Sequence, residues 1–124
     1  MGTSRRVTNK VVATIPNGAA KSNAISLYDT ASMSLLLPAA WTAADLTFEA
    51  SFDGGTTWGE VWDDANAEVL IAAATIAARV GDAIVGGAII AKLLGLPMIR
   101  LVSGNTAAEV NQLADRAFTV VLKS

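Results

Sequence analysis

Apolar residues fall along this chain in short β-branched runs, each closed by Gly, Pro, Asn or Asp. Lys10 to Ile15 is one such run, stopped by the turn signal Pro16-Asn17-Gly18. Ala24 to Tyr28 is a second, ended by Asp29-Thr30. Ser32 to Leu37 is a third, ended by Pro38, whose ring biases Leu37 toward an extended backbone. Trp41 to Asp45 can form one helical turn with Thr42 as N-cap, but Pro-Ala-Ala-Trp reads more readily as a loop crossing between sheets. Leu46 to Phe52 alternates large and small side chains, Asp53-Gly54-Gly55 supplies the positive-φ positions of a tight turn, and Trp58 to Trp62 returns as the second arm of a hairpin.

Beyond Asp63-Asp64-Ala65-Asn66-Ala67, residues 65–79 are alanine-rich and hold the main helical risk. Val69, Ile71, Thr75 and Ile76, with the hairpin-like spacing at Gly81-Asp82, favour strand-loop-strand, with strands at Glu68 to Ile71 and Thr75 to Val80. Ala83 to Leu94 alternates in part, with a bulge or bend at Gly86-Gly87. Pro97 to Ser103 and Arg116 to Lys123 are clear strands. Seven to nine short strands without a sustained 3.6-residue period predict an all-β fold, an antiparallel β-sandwich of jelly-roll-like form. Phe48, Phe52, Trp58, Leu101, Val120 and Leu122 are its expected core. Residues 1–9 read as a polar, flexible N-terminal arm and residues 10–124 as one sandwich domain.

Composition narrows the function. Hydrophobic residues make up 52% of the 124 and charged residues only 16%, few with which to solvate a free surface. Part of the apolar surface is therefore expected to be covered by other subunits. Net charge is −2, and the nine basic residues are scattered apart from Arg5-Arg6 and Lys10, which argues against a nucleic-acid module. Cysteine and histidine are both absent, removing thiolate and imidazole metal ligands and the usual general base. No apolar run follows the charged start, and the longest, Ala83 to Leu96, is interrupted by glycines and Lys92, so a soluble product without a membrane partner is expected.

The candidate chemistry is sparse. Ser51-Phe52-Asp53-Gly54-Gly55-Thr56-Thr57-Trp58 matches Ser-x-Asp-x-Gly-x-Thr-Trp and resembles an Asp-box, the hairpin signature of sialidases and other β proteins. Its residues explain a turn without catalysis. Asp53 can accept turn N–H bonds, Ser51 and Thr57 can bond across the hairpin, and Trp58 covers it. Ser51, Asp53, Gly54, Gly55, Thr57 and Trp58 are thus assigned to a structural turn, and one copy of the motif in so short a chain does not make a propeller. Asp63-Asp64 with Glu60 and Glu68 concentrates oxygen ligands but fits no EF-hand spacing, and no metal or cofactor is expected. No carboxylate pair is marked out for glycoside hydrolysis, no triad is possible without histidine, and Gly86-Gly87 lacks the Gly-Lys-Ser/Thr of a phosphate loop, so no catalytic residue and no enzyme are expected. Trp41, Trp58 and Trp62 remain. Trp58 and Trp62 share a face of a regular strand, and exposed Trp41 and Trp62 are the candidate contacts of an alternative, carbohydrate-binding function.

A longer pattern carries a second resemblance. Leu36-Leu37-Pro38-Ala39-Ala40-Trp41 leads to Leu46-Thr47-Phe48 and the Gly-Gly hairpin, followed by Ile99-Arg100-Leu101-Val102-Ser103-Gly104 and a terminal strand. Over roughly residues 25 to 123 this resembles small structural proteins of tailed bacteriophages that accompany major capsid proteins. The resemblance implies a β-sandwich virion component, a capsid decoration (cement) protein or head-fibre base, made in the host cytoplasm. It also implies homo-oligomers, trimers by analogy, that contact the major capsid protein.

Overall fold

The computed structural model describes residues 8–124; most of the expected N-terminal arm lies outside them. Among the described residues nine strands form two antiparallel sheets. Sheet A is built from β1 (Thr8–Ile15), β9 (Arg116–Lys123), β3 (Ser32–Leu36) and β7 (Ala83–Val85), in that spatial order. Sheet B runs β2 (Ile25–Ser26), β8 (Met98–Ser103), β4 (Leu46–Ser51) and β5 (Gly59–Glu60), with β6 (Leu70–Ile71) on the same edge of β4 as β5. β1 begins at Thr8, so Thr8 and Asn9 pair with Lys123 and Leu122 and belong to the sheet rather than to an arm.

Period-2 alternation places the core between the sheets. Sheet A turns in Ala13 and Ile15, Met33 and Leu35, and Phe118, Val120 and Leu122. Sheet B turns in Leu46, Phe48 and Ala50 opposite Ile99 and Leu101. Phe118 is fully buried and meets the Trp41 ring edge-on at 5.6 Å between centroids, a packing whose loss costs about 3–5 kcal/mol when such a ring is cut to Ala.

Two segments depart from the sequence expectation. The stretch read as strand at Thr75 to Val80 is instead helix α1 (Ala73–Ala78). One side chain, Ile76, is driven into the core at zero exposure while most of the surrounding alanines stay outside, so the tertiary burial of one helical face decides the form over the β-branched preference. Ala83 to Leu94 alternates only through β7. Gly86 (φ +65°) and Gly87 (φ +83°) then turn the chain into helix α2 (Gly87–Leu93), which buries Ile90 and Leu93 at i, i+3 spacing. Phe52 is the third correction. It has the inward parity of Phe48 and Ala50, but β4 ends at Ser51, no facing strand covers it, and it stands 76% exposed. Phe48, Leu101, Val120 and Leu122 are core residues, and Trp58 is half-buried.

Candidate functional site

The hairpin turn after β4 is closed by side chains. Ser51 Oγ donates to Asp53 Oδ1 (2.8 Å) and accepts the Gly55 N–H (2.8 Å). Asp53 Oδ1 also accepts the N–H groups of Thr56 (3.1 Å) and Thr57 (2.9 Å), and Trp58 Nε1 donates to the Gly55 carbonyl (2.9 Å). The Thr57 N–H, followed by the Ser51 and Thr57 hydroxyls, holds the Asp53 carboxyl down at about 2. A carboxylate so committed to turn donors is poorly suited to proton transfer near neutral pH.

Beside this turn the aromatic side chains gather. Phe52, Trp58 and Trp62 line a cleft of about 560 Å³ with Leu96, Asp53 and Glu60. Trp62 Nε1 donates to Glu60 Oε2 (3.2 Å), which fixes the indole, and Arg100 lies 4.4 Å over the centre of the Trp58 ring. Trp41 is elsewhere: it packs on Phe118 and donates from Nε1 to the Ala44 carbonyl (2.9 Å). Phe52 takes the place in the aromatic group that the sequence offered to Trp41.

The acidic residues near β5 are held apart by separate tasks. Asp63 Oδ1 accepts the N–H groups of Ala65 (2.9 Å) and Ala67 (3.0 Å) across a tight loop, and Oδ2 pairs with Lys92 of α2 (3.0 Å). Lys92 first, then the loop N–H groups, lower the Asp63 pKa. Glu60 and Glu68 both hold Thr106, through its hydroxyl (2.8 Å) and N–H (2.9 Å) respectively. Among the described residues no group of three acidic side chains converges as a metal site.

A buried amide went unnoticed in the sequence. Gln112 is 0% exposed, and its Nε2 donates to the Thr42 carbonyl (3.0 Å) and Ser103 Oγ (2.7 Å). Its Oε1 accepts from the Thr42 N–H (2.9 Å) and from Arg116 Nε (3.1 Å). It thereby staples the crossing loop, β8 and β9 together, a satisfied polar hub with no capacity left for a ligand.

The two outer sheet faces differ sharply. On sheet B, Glu49 lies opposite Arg100 in the ladder and binds it at 2.6 Å, and Lys21 bridges Glu49 (3.4 Å) and Glu109 (3.2 Å). On sheet A the ladder aligns two outward rows, Val12–Thr119–Leu36–Ala83 and Lys10–Val121–Ser34–Val85. Lys10 is the sole charge in them, and Val12, Leu36 and Val85 stand 51%, 43% and 76% exposed. The sequence signal for this face was the doubling of apolar residues at Val11-Val12 and Val120-Val121 and the run Leu35-Leu36-Leu37, which marks strands apolar on both sides.

No protein-family profile matches the chain, and no curated protein matches it. Among solved structures it is similar to the SPBc2 prophage-derived protein YomS, at 11% identity and a TM-score of 0.49, over 99% of this chain and 100% of that one. Values that low establish neither a family nor a function.

Proposed function

We propose that this chain is a non-enzymatic structural protein of a tailed-phage virion, of the capsid-decoration or head-fibre-base type, held in place by contacts with its own copies and with the major capsid protein. The observation that carries the reading is the outer face of sheet A, an exposed, nearly uncharged surface with no catalytic or ligand-binding group on it. The polar side chains that elsewhere supply chemistry are occupied with the fold. Asp53 and Asp63 close turns, Gln112 joins loops, and Asp45 accepts the Ala73 N–H at the start of α1 (2.8 Å) and the Asn105 amide (3.1 Å). Neither nucleic acid nor membrane is a partner in this reading; none of the described helices is long and apolar enough to cross a bilayer. The placement in a phage particle rests on the sequence resemblance. Mass spectrometry of purified particles, followed by imaging of particles with and without the protein, tests it. Presence at regular lattice positions supports the assignment, and absence from particles ends it.

The aromatic cleft favours a second reading, a carbohydrate-binding module. Phe52 and Trp62 present exposed rings beside Glu60 and Asp53, apolar faces and hydroxyl acceptors of the kind a neutral sugar uses. Titrating the intrinsic tryptophan fluorescence against a panel of neutral polysaccharides separates the two. Saturation that is lost in Trp62→Ala and Phe52→Ala establishes the sugar site, and a flat response across the panel removes it.

A further inference from the structure

We infer that the outer face of sheet A is a self-association surface on which a second copy of this chain packs face to face, about a two-fold axis that crosses the strands at Thr119. This deepens the assembly reading and rests on it for its purpose, though its geometry stands alone. The centre of the face consists of Val12, Val85, Val121, Ser34 and Thr119, small or β-branched side chains, together with Leu36, and lets two sheets approach to the usual ~10 Å. Besides Lys10 on the outer strand β1, charge appears at the two ends of β9 and with opposite sign. Lys123 points outward at one end and makes no ion pair among the described residues. Asp115 is exposed just before the other end, where its Oδ1 accepts the Asn17 N–H (2.8 Å). The neighbouring Arg116 does not neutralise it, because its guanidinium is turned in to Gln112 (3.1 Å) and Thr42 (3.1 Å).

Thr119 lies midway between these charges along the strand. A two-fold axis over Thr119, perpendicular to the strands, therefore sets Lys123 of each copy over Asp115 of the other, twice per pair. A two-fold axis parallel to the strands superposes like ends and gains no such pairing. The face is thus self-complementary in sign as well as in shape, which is what an isologous contact requires of a single patch. The symmetry read from the face is two-fold, in place of the three-fold expected from the phage resemblance.

Sedimentation velocity of the full chain over a concentration series tests the proposal, with near-UV circular dichroism reporting that each variant is folded. The wild type is expected to pass from monomer to dimer. Thr119→Arg, which sets charge against charge on the axis, is expected to leave a folded monomer. Lys123→Asp and Asp115→Lys alone are each expected to weaken the dimer roughly tenfold, because symmetry repeats each like-charge encounter. The double swap, Lys123→Asp with Asp115→Lys, is expected to restore most of the affinity. A wild-type monomer at submillimolar concentration, a trimer mass, an oligomer indifferent to Thr119→Arg, or a double swap no tighter than the singles would each overturn the pairing. Particle binding is read separately. A monomer that still decorates particles sinks the pairing alone, and a dimer never found in particles sinks the virion assignment alone.

Discussion

On the outside of sheet B the charged side chains are already spoken for: Glu49 by Arg100 and Lys21, Lys21 also by Glu109, and Arg100 by the Trp58 ring. Loop residues add to the cover, with Thr47 Oγ1 donating to the Gly104 carbonyl (2.9 Å) and Val102 buried beneath. Sheet A has no counterpart to this. Apart from Lys10 and Lys123, which make no ion pair among the described residues, its outward side chains are Val, Thr, Ser, Ala and Leu, and none of the described loops lies bonded across them. Both sheets close the same core, so stability does not require the difference. A face that satisfies its own charges needs no partner, whereas a bare apolar face on a chain so short of charge acquires one or remains a liability.

The largest test of this contrast falls on the cover of sheet B. Gly104 has φ +109°, and a Cβ there would collide with the Ala108 carbonyl and the Glu109 Cα of the loop folded over the sheet. Gly104→Ala is expected to cost about 2–4 kcal/mol in urea unfolding. An unchanged midpoint would mean that the loop is free to move and that sheet B is no better covered than sheet A.

Next comes the charge network. Glu49 is largely buried, and Glu49→Ala leaves Arg100 and Lys21 facing each other without their shared carboxylate. A loss of about 1–3 kcal/mol is expected, with Glu49→Gln recovering part of it. If Glu49→Ala were neutral, the charges of sheet B would be surface decoration, and the two faces would differ in appearance only.

How much of this was legible beforehand follows from range. Turns carried by neighbouring residues could be read: Pro16-Asn17-Gly18, and Ser51 to Trp58 as a hairpin whose Asp53 gathers N–H groups. So could strands with strict alternation, such as Arg116 to Lys123. Contacts distant in sequence could not. Gln112 meets Thr42 across 70 residues, and nothing near either position foretells it. The helix at Ala73–Ala78 escaped because alanine permits either form and β-branched Thr75 and Ile76 point the other way, while the deciding burial of Ile76 is tertiary. In α2 the signal was present, since Ile90 and Leu93 keep helical spacing, but the alternation just before Gly86 masked it. Phe52 shows that parity assigns a face and not whether anything covers it.

Acid separates the two sheets more gently. Asp53, in the turn at the end of β4, has its folded pKa lowered from 3.8 to about 2, and Asp63 is lowered as well. A depressed carboxyl stabilises the fold fully above its unfolded value and loses that contribution as pH falls through the folded one. The thermal midpoint is therefore expected to drop between about pH 4 and pH 2, with a smaller acid-dependent drop in Asp53→Asn. Equal drops in the two proteins would show that the Asp53 turn does not couple to folding.

The smallest expected effect is the sharpest check on sheet A. Val12 and Leu36 point away from the core and flank Thr119 in the same row, and outside the ladder only the Val12 carbonyl is bonded, by the Asn23 amide (3.1 Å). Threonine has the β-branched shape that a strand favours, so Val12→Thr and Leu36→Thr are expected to shift monomer stability by no more than about 0.5 kcal/mol. The measurement is chemical unfolding at a concentration where the chain is monomeric, repeated where it associates. The variants are expected to match the wild type in the first condition and to fall below it in the second, because removing apolar contact from a self-association face is felt only when that face is occupied. A loss above about 1 kcal/mol in the dilute monomer would mean that part of the chain itself packs on these side chains. In that case sheet A would be covered like sheet B, and the contrast on which its partner was inferred would vanish.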